Sequence, residues 1–314
     1  MRNHIDRRQF LKRCSVRSLG ILVSPNLTGM LAGQWSDGSP EHTVSVVAGD
    51  RYFENTIKAI EALGGMKRFV KKGALVALLI NSVFDRPGSV VHTDIPLAVL
   101  KMCLDAGAGR VLTIENTPRI FWKMGTMSEK FTKEINGIGY SSDKKNVNLP
   151  GAVYLKQGSV SSSLIACDVF INIPIIKDHK GTQYTGNLKN MMGAFSSATC
   201  RRCHYGDQSL LTQIFQGAYE KVELLTQSIA DLNLVRTPDL SVADVTEILA
   251  TNGPVGPGKI IRPMEIVAGT NALAVDMYCV KHLGLNVEET VTIRHAQEHH
   301  LGPKSLAEVK VLWN

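Results

Sequence analysis

The chain of 314 residues has a formal net charge of +7, with 44% hydrophobic and 20% charged residues. Residues 1–33 hold six arginines and lysines against one aspartate, so the remaining part of the chain carries only about +2. Without a basic helix and interleaved aromatic residues, this near-neutral part excludes nucleic acid as the expected partner. Its roughly 280 residues suffice for one large α/β domain or two small ones.

The first predicted element is an export segment at residues 1–33. Arg7 to Lys12, RRQFLK, resembles the twin-arginine signal of bacteria, although Asp6 stands where Ser or Thr is more common. The apolar stretch from Leu19 to Ala32 is interrupted by Pro25 and is shorter than the about 20 apolar residues that span a bilayer. The resemblance implies the twin-arginine translocase as a partner and a periplasmic or otherwise exported protein. A basic tail is the alternative, and without a clear cleavage site the segment could remain as a membrane tether.

Residues 43–314 are predicted to form a single α/β domain, with possible sub-lobes at 43–160 and 161–314 and room for a pocket between two lobes. Apolar runs typical of buried strands alternate with stretches of helical periodicity. The predicted strands are Thr43–Val47, Ala74–Ile80, Val111–Ile114, Cys167–Ile173, Leu240–Val245 and Met264–Ala268. The predicted helices are Phe53–Leu63, Pro96–Ala106, Leu210–Leu232 and Ala272–Leu283. This order indicates a mainly parallel sheet flanked by helices on both faces.

Polar and glycine-rich turns follow the predicted strands, and ligands on such sheets bind where the parallel strands end. Asp85 and Arg86 lie in the turn after the second strand and are candidate catalytic residues. Asp244 and Glu247 lie at the end of the fifth strand, where a carboxylate could bind a metal or orient a histidine. Ionisable side chains from several turns predict a pocket at this edge, although each turn alone is ordinary loop chemistry.

The segment KDHKGTQYTGNLKNMMGAFSSATCRRCH, residues 177–204, has the densest set of candidate site residues. Its basic groups favour an anionic small molecule, and its glycines let the backbone approach a ligand closely. His179 is a candidate catalytic acid and base, with a loop or core histidine as the alternative, and Lys189 is a second catalytic candidate. The candidates for binding the ligand are Lys177, Lys180, Gly186, Asn190, Arg201 and Arg202.

The stretch CRRCH, residues 200–204, allows several interpretations. Cys200, Cys203 and His204 offer three ligands that suit Ni, Zn or Fe and leave one coordination position open. The two intervening arginines would help to keep the thiols ionised. The same spacing is the attachment motif of c-type haem. Haem is disfavoured, because its attachment needs an unfolded chain and the twin-arginine route exports folded proteins. A strained disulfide or an inert loop would also fit this spacing, and an iron–sulfur cluster of the protein's own is disfavoured by the single Cys-x2-Cys pair.

From Val76 to Gly284 the chain resembles the uncharacterised family called domain of unknown function 362. The resembling stretches are INIPIIKDHKGTQYTGNLKNMMGAF, PDLSVADVTEILATNGPVGPG and IVAGTNALAVDMYCVKHLG. Some members of that family carry an added ferredoxin module with Cys-x2-Cys runs, and this sequence has no such module. The resemblance therefore covers most of the chain but implies no particular reaction.

A more distant likeness connects the chain to nickel-dependent lactate racemases. Phe84 to Pro87 resembles their Asp-x-Thr-Arg-Pro-like loop, one residue tighter and without the Thr. His179 and Lys189 match the spacing between an acid/base His and the Lys that tethers the cofactor, and His204 lies near the place of a metal-binding His. The likeness implies those roles for the three residues. Residues 114–119, IENTPR, lack the second acid/base His of that family, which implies a shared fold and pocket without racemase chemistry.

Other polar residues have weaker claims to a site. Asp276 lies mid-helix among apolar residues and needs a partner, either a loop such as residues 252–258 or the pocket. His295 and His299 are four residues apart on a possible helix, and without a third ligand nearby they are expected on an exposed face.

Two functions remain open on the sequence alone. The first is an exported α/β enzyme or cofactor-binding protein with a basic pocket for an anionic small molecule and a metal. Its expected pocket residues are Asp85, Arg86, Lys177, His179, Lys189 and His204. The second is a non-catalytic redox or electron-transfer accessory protein that uses CRRCH with a redox partner.

Overall fold

The computed structural model describes residues 42–207 and 222–314. The predicted export segment and the first part of the predicted helix Leu210–Leu232 lie outside these residues. The strands are β1 (Thr43–Ala48), β2 (Leu75–Ile80), β3 (Arg110–Thr113), β4 (Gly139–Tyr140), β5 (Lys144–Asn148), β6 (Gln157–Ser161), β7 (Val169–Ile173), β8 (Lys177–His179), β9 (Gln183–Thr185), β10 (Leu240–Val245), β11 (Ile248–Leu249), β12 (Ile260–Ile261), β13 (Glu265–Gly269) and β14 (Lys310–Trp313). The helices are α1 (Tyr52–Glu61), α2 (Asp94–Asp105), α3 (Arg119–Trp122), α4 (Thr132–Asn136), α5 (Ser162–Ala166), α6 (Asn187–Asn190), α7 (Ser197–Tyr205), α8 (Val222–Leu232), α9 (Ala272–Cys279) and α10 (Val291–Glu298). None of the helices in the described ranges has the length and apolarity that crossing a membrane requires.

Eight of the strands form one mixed sheet in the order β14-β1-β13-β10-β7-β2-β3-β4. Five of its seven neighbouring pairs run parallel, and β13 runs antiparallel to both of its neighbours, β1 and β10. The other seven strands therefore point the same way, and their ends define one carboxyl edge of the sheet. The prediction of a mainly parallel α/β sheet is confirmed.

Alternate residues of β2 enter two different hydrophobic cores. Val76, Leu78 and Ile80 pack in the first core with side chains of α1 and α2. Ala77 and Leu79 pack in the second core with side chains of α6, α8 and α9. Both faces of the sheet are thus covered by helices, which explains why ALVALLI is a continuous apolar run rather than an alternating one.

The predicted strands agree with β1, β2, β3, β7, β10 and β13 to within two residues at each end. The edge strands β4 and β14 and the short pairs β5–β6, β8–β9 and β11–β12 were not predicted. They are brief or polar, so they lack the apolar run on which the strand predictions were based. The predicted helix over residues 272–283 is α9 followed by a 3-10 turn, Val280–Leu283.

The hairpin of β8 and β9 follows β7 at the carboxyl edge and carries Lys177 and His179. Lys177 pairs with Thr185 across it, and His179 pairs with Gln183. Between them, Asp178 accepts a hydrogen bond from the backbone N–H of Gly253 at 2.7 Å through Oδ2. A Cβ at Gly253 would lie 1.7 Å from the Asp178 carbonyl oxygen, so only glycine allows this loop to support the hairpin.

Side-chain amides hold helix α6, which carries Lys189, against the sheet. Asn190 donates through Nδ2 to Oδ1 of Asn172 at 2.7 Å and accepts from Nδ2 of Asn81 at 3.2 Å. Asn172, wholly buried on β7, donates to the carbonyl of Asn187 at 3.0 Å. Asn190, predicted to bind a ligand, is therefore one of the groups that attach the helix to the strands.

The carboxylate of Asp276 on α9 binds the first residues of α6. Its Oδ1 accepts from the N–H of Asn187 at 2.7 Å, and its Oδ2 accepts from the N–H of Leu188 and the hydroxyl of Tyr184, both at 3.0 Å. A Cβ at Gly186 would lie 2.5 Å from Oδ1, so this predicted ligand-binding glycine instead admits the carboxylate. Burial raises the pKa of Asp276, and the hydrogen bonds oppose that shift. The partner of Asp276 is thus α6 and not the glycine- and proline-rich loop proposed from the sequence.

His295 on α10 is buried and His299, directly after this helix, is half-buried, whereas both were expected on an exposed face. His295 lies 3.1 Å from Glu223 and from Glu298, and Nε2 of His299 lies 2.7 Å from Oδ1 of Asp231. Glu223 and Asp231 belong to α8, far away in the sequence, so local spacing gave no indication of them.

The prediction for this part of the fold concerns Asp276. Asp276→Ala is expected to destabilise the protein by about 3 kcal/mol or more, because the buried N–H groups of Asn187 and Leu188 lose their acceptor. Urea unfolding followed by circular dichroism measures the difference. Asp276→Asn keeps one acceptor oxygen and should lose less, and exposed Asp50→Ala should stay within about 0.5 kcal/mol of wild type. Equal midpoints for Asp276→Ala and Asp50→Ala would contradict the expectation.

Candidate functional site

Four basic side chains from the β8–β9 hairpin, α6 and α7 lie close together at the carboxyl edge. Burial and then the positive charges of Lys189, His204 and Lys177 lower the pKa of His179 to about 3. Burial and Lys189 likewise lower the pKa of Lys177 to about 7. Because the charges of Lys189, His204 and Lys177 all act on His179, these four predicted residues lie near one another and are called here the basic cluster.

His179 is a buried, neutral imidazole within the basic cluster. Its Nδ1 accepts a hydrogen bond from the backbone N–H of Gly181 at 3.0 Å, so the ring proton resides on Nε2. With a pKa of about 3, the ring stays neutral at physiological pH. His179 can therefore donate a hydrogen bond through Nε2 without carrying a charge.

Lys177 is the most deeply buried residue of the basic cluster. The residue is only 1% exposed, its Nζ donates to the carbonyl of Ser89 at 2.6 Å, and Nζ lies 4.4 Å from the ring centre of Phe84. With a pKa of about 7, this amine gains and loses its proton near neutral pH. A bound anion would favour the charged form again, since opposite charge raises the pKa of an amine.

The loop after β2 reaches the basic cluster through Phe84 and Ser89. Asp85 and Arg86, the predicted catalytic residues of this loop, are both exposed. Their role as catalytic residues stays a prediction.

Lys189 and His204 are half-buried, so a ligand from solvent meets them before Lys177 and His179. Nζ of Lys189 lies 3.4 Å from Sδ of Met192 in the following turn. These two side chains form the accessible part of the basic cluster.

Three further residues predicted to bind the anion lie on the surface. Lys180 and Arg201 are exposed, and Arg202 pairs with Asp207 at 2.9 Å. Their basic character suggested a role in the site, but a charge on a solvated face needs no ligand.

The structure does not bring the three predicted metal ligands together. Sγ of Cys200 donates to the carbonyl of Met192 at 3.1 Å, whereas Sγ of wholly buried Cys203 donates to that of Thr199 at 3.3 Å. Burial raises the pKa of the Cys200 thiol to about 11 and that of Cys203 to about 12, so the expected ionisation by neighbouring arginines is wrong. Within residues 42–207 and 222–314, no three His, Cys, Asp or Glu side chains, His204 included, form a group that could hold a metal.

Asp244 and Glu247 also have partners of their own. Asp244 is buried and accepts from the N–H of His92 at 2.6 Å and from the N–H and hydroxyl of Thr246 at 2.8 Å and 2.7 Å. Glu247 pairs with Arg262 at 2.7 Å. These contacts join the turns after β2 and β10, and the hydrogen bonds of Asp244 do not include His179.

Sequence reasoning missed two charged residues near the basic cluster, Glu115 and Lys144. Burial raises the pKa of Glu115 to about 7, and the positive charge of Lys144 opposes the shift. Burial lowers the pKa of Lys144, and the charges of Glu115 and Cys200 oppose this shift. Glu115 lies in IENTPR, directly after the third predicted strand, and this position was the available signal. Lys144 lies on the polar strand β5, where the sequence contains no signal of a functional site.

Structural comparison found partial similarities to several solved structures. The lactate racemase apoprotein from Thermoanaerobacterium thermosaccharolyticum gives a TM-score of 0.45 at 11% identity, over 78% of this chain and 57% of that one. A crystal structure of a protein from Thermotoga maritima gives a TM-score of 0.39 at 14% identity, over 62% and 51%. The chain thus spans little more than half the length of either protein. No curated protein sequence matches it.

The family comparison covers the region that builds the candidate site. The model of the family described as domain of unknown function, DUF362, matches residues 76–281, which is more than half of the 314 residues. This region runs from β2 through the hairpin, α6 and α7 to α9, and it contains the basic cluster and Glu115. The chain belongs to the DUF362 family.

Proposed function

We propose that this protein binds a small organic anion at the carboxyl edge of its sheet, as an enzyme or as a cofactor-binding protein. The binding residues are Lys177, His179, Lys189 and His204. The observation that carries the proposal is the basic cluster itself, in which burial and neighbouring positive charge disfavour the protonated forms of Lys177 and His179. Buried basic groups of this kind are costly unless a negative charge compensates them.

The roles of the four residues follow from their burial and protonation. Lys189 and His204, which solvent reaches, attract and contact the anion first. Lys177 becomes fully charged when the anion is near, and His179 donates a hydrogen bond through Nε2.

The described residues contain no preformed group of three metal ligands, so the proposal involves no metal. The redox alternative also finds no support in the geometry. Thiol exchange needs a thiolate, whereas Cys200 and Cys203 are protonated thiols that donate to backbone carbonyls.

We further propose that the protein is exported by the twin-arginine translocase and acts in the periplasm or beyond it. The support for this proposal is RRQFLK at residues 7–12 and the apolar stretch that follows.

The first test of the proposed site measures binding of oxalate and sulfate by isothermal titration calorimetry. Lys189→Met and His179→Gln are each expected to weaken binding about tenfold, since each removes one charged or hydrogen-bonding contact to the anion. Exposed Lys133→Met removes the same charge elsewhere and should bind like wild type. Equal affinities for all four proteins would show that the anion binds elsewhere.

The second test concerns export. Arg7→Lys combined with Arg8→Lys is expected to leave the protein in the cytoplasm, because the resemblance to the export signal rests on this arginine pair while the charge is unchanged. Cell fractionation and immunoblotting measure the distribution. The matched control, Arg13→Lys with Arg17→Lys, should be exported like wild type. Periplasmic accumulation of the Arg7 and Arg8 variant at the wild-type level would overturn the localisation.

A further inference from the structure

Glu115 borders the basic cluster and has no role in the function proposed above. It follows β3 at the carboxyl edge and is half-buried. Its carboxyl group accepts no hydrogen bond from any residue in the described ranges 42–207 and 222–314. A half-buried carboxyl group without a donor is an incomplete interaction, since burial removes the water that would otherwise solvate it.

Contacts with the segment after α6 place Glu115 at the site. A Cβ at Gly193, four residues after Lys189, would lie 2.7 Å from Oε2 of Glu115, so the carboxyl group lies directly against this turn. Glu115 and Lys189 also act on the same thiol: the charge of Lys189 lowers the pKa of Cys200, and that of Glu115 raises it. Glu115 and Lys189 therefore both lie near Cys200.

We propose that Glu115 is a further binding residue of this site, which takes up a proton when the anion binds and donates its O–H to the anion. This inference rests on the proposed function. The proton comes from solvent and converts the carboxylate to the carboxylic acid, and no other bond changes. The group that binds the anion is then a neutral donor instead of a repelling charge.

The surroundings of Glu115 make this uptake possible near neutral pH. The charged and titratable groups that act with it are Lys144 from β5 and Cys200 from α7, and Lys189 from α6 acts on the same Cys200. Lys144 favours the carboxylate, but burial outweighs it, and the pKa of Glu115 is about 7. A nearby anion raises this pKa further, so affinity should be highest below about pH 7 and fall as the pH rises through it. Lys177 loses its proton over the same pH range, which also lowers the affinity for the anion as the pH rises.

The test counts the protons taken up when sulfate binds to the full chain, by calorimetry at about pH 7 in two buffers of different ionisation enthalpy. Sulfate does not titrate there. Glu115→Gln is expected to reduce the uptake by about half a proton and to flatten the pH dependence of affinity, leaving the share of Lys177. Gly193→Ala, which displaces the carboxyl group without removing it, should also reduce the uptake. Exposed Glu129→Gln is the matched control and should behave like wild type.

The outcomes separate this inference from the proposed function. If sulfate binds with the same proton uptake to wild type, Glu115→Gln and Gly193→Ala, Glu115 is not a binding residue, while the basic cluster remains the site. If neither sulfate nor oxalate binds to the wild-type protein, both proposals are overturned.

Discussion

The position of the candidate site depends on the hydrogen bonds between Asp276 and the first residues of α6. A helix of four residues cannot form by itself, because the first turn fixes several residues for a single hydrogen bond. The buried carboxylate supplies two acceptor oxygens to Asn187, Leu188 and Tyr184 at 2.7–3.0 Å. Lys189 is therefore placed by long-range polar contacts and not by helix propensity.

The site combines segments that are far apart in the chain. The β8–β9 hairpin provides Lys177 and His179, α6 provides Lys189, α7 provides His204, and the turn after β3 adds Glu115. Asn172 and Asn190 connect α6 to the central strands, so the charges are held in place before any ligand arrives. Such fixed groups need little rearrangement on binding, which is the condition under which buried charges contribute most to affinity.

The sequence was sufficient for the central strands but not for the polar contacts between elements. ALVALLI and CDVFINI predicted strands because residues buried on both faces leave a continuous apolar run. His179 and Lys189 were predicted as site residues because they are basic and lie in a glycine-rich segment after a predicted strand. Asp276 was correctly recognised as a buried group that needs a partner, but its partner lies about ninety residues away, and no local pattern specifies such a pair. CRRCH misled because its chemistry depends on burial, and α7 buries the Cys203 thiol and partly buries that of Cys200.

The titratable groups of the site take up a proton over different pH ranges, and this decides where a proton would go. His179 is neutral because burial and neighbouring cations lower its pKa to about 3, whereas burial raises that of Glu115 to about 7. Protonating His179 at neutral pH would cost about 5 kcal/mol, since each pKa unit is worth about 1.4 kcal/mol. Protonating Glu115 or Lys177, both near 7, costs little. An anion that enters the basic cluster therefore takes its accompanying proton onto the carboxyl or the amine, and the imidazole keeps its single proton at Nε2, where it can serve as a hydrogen-bond donor.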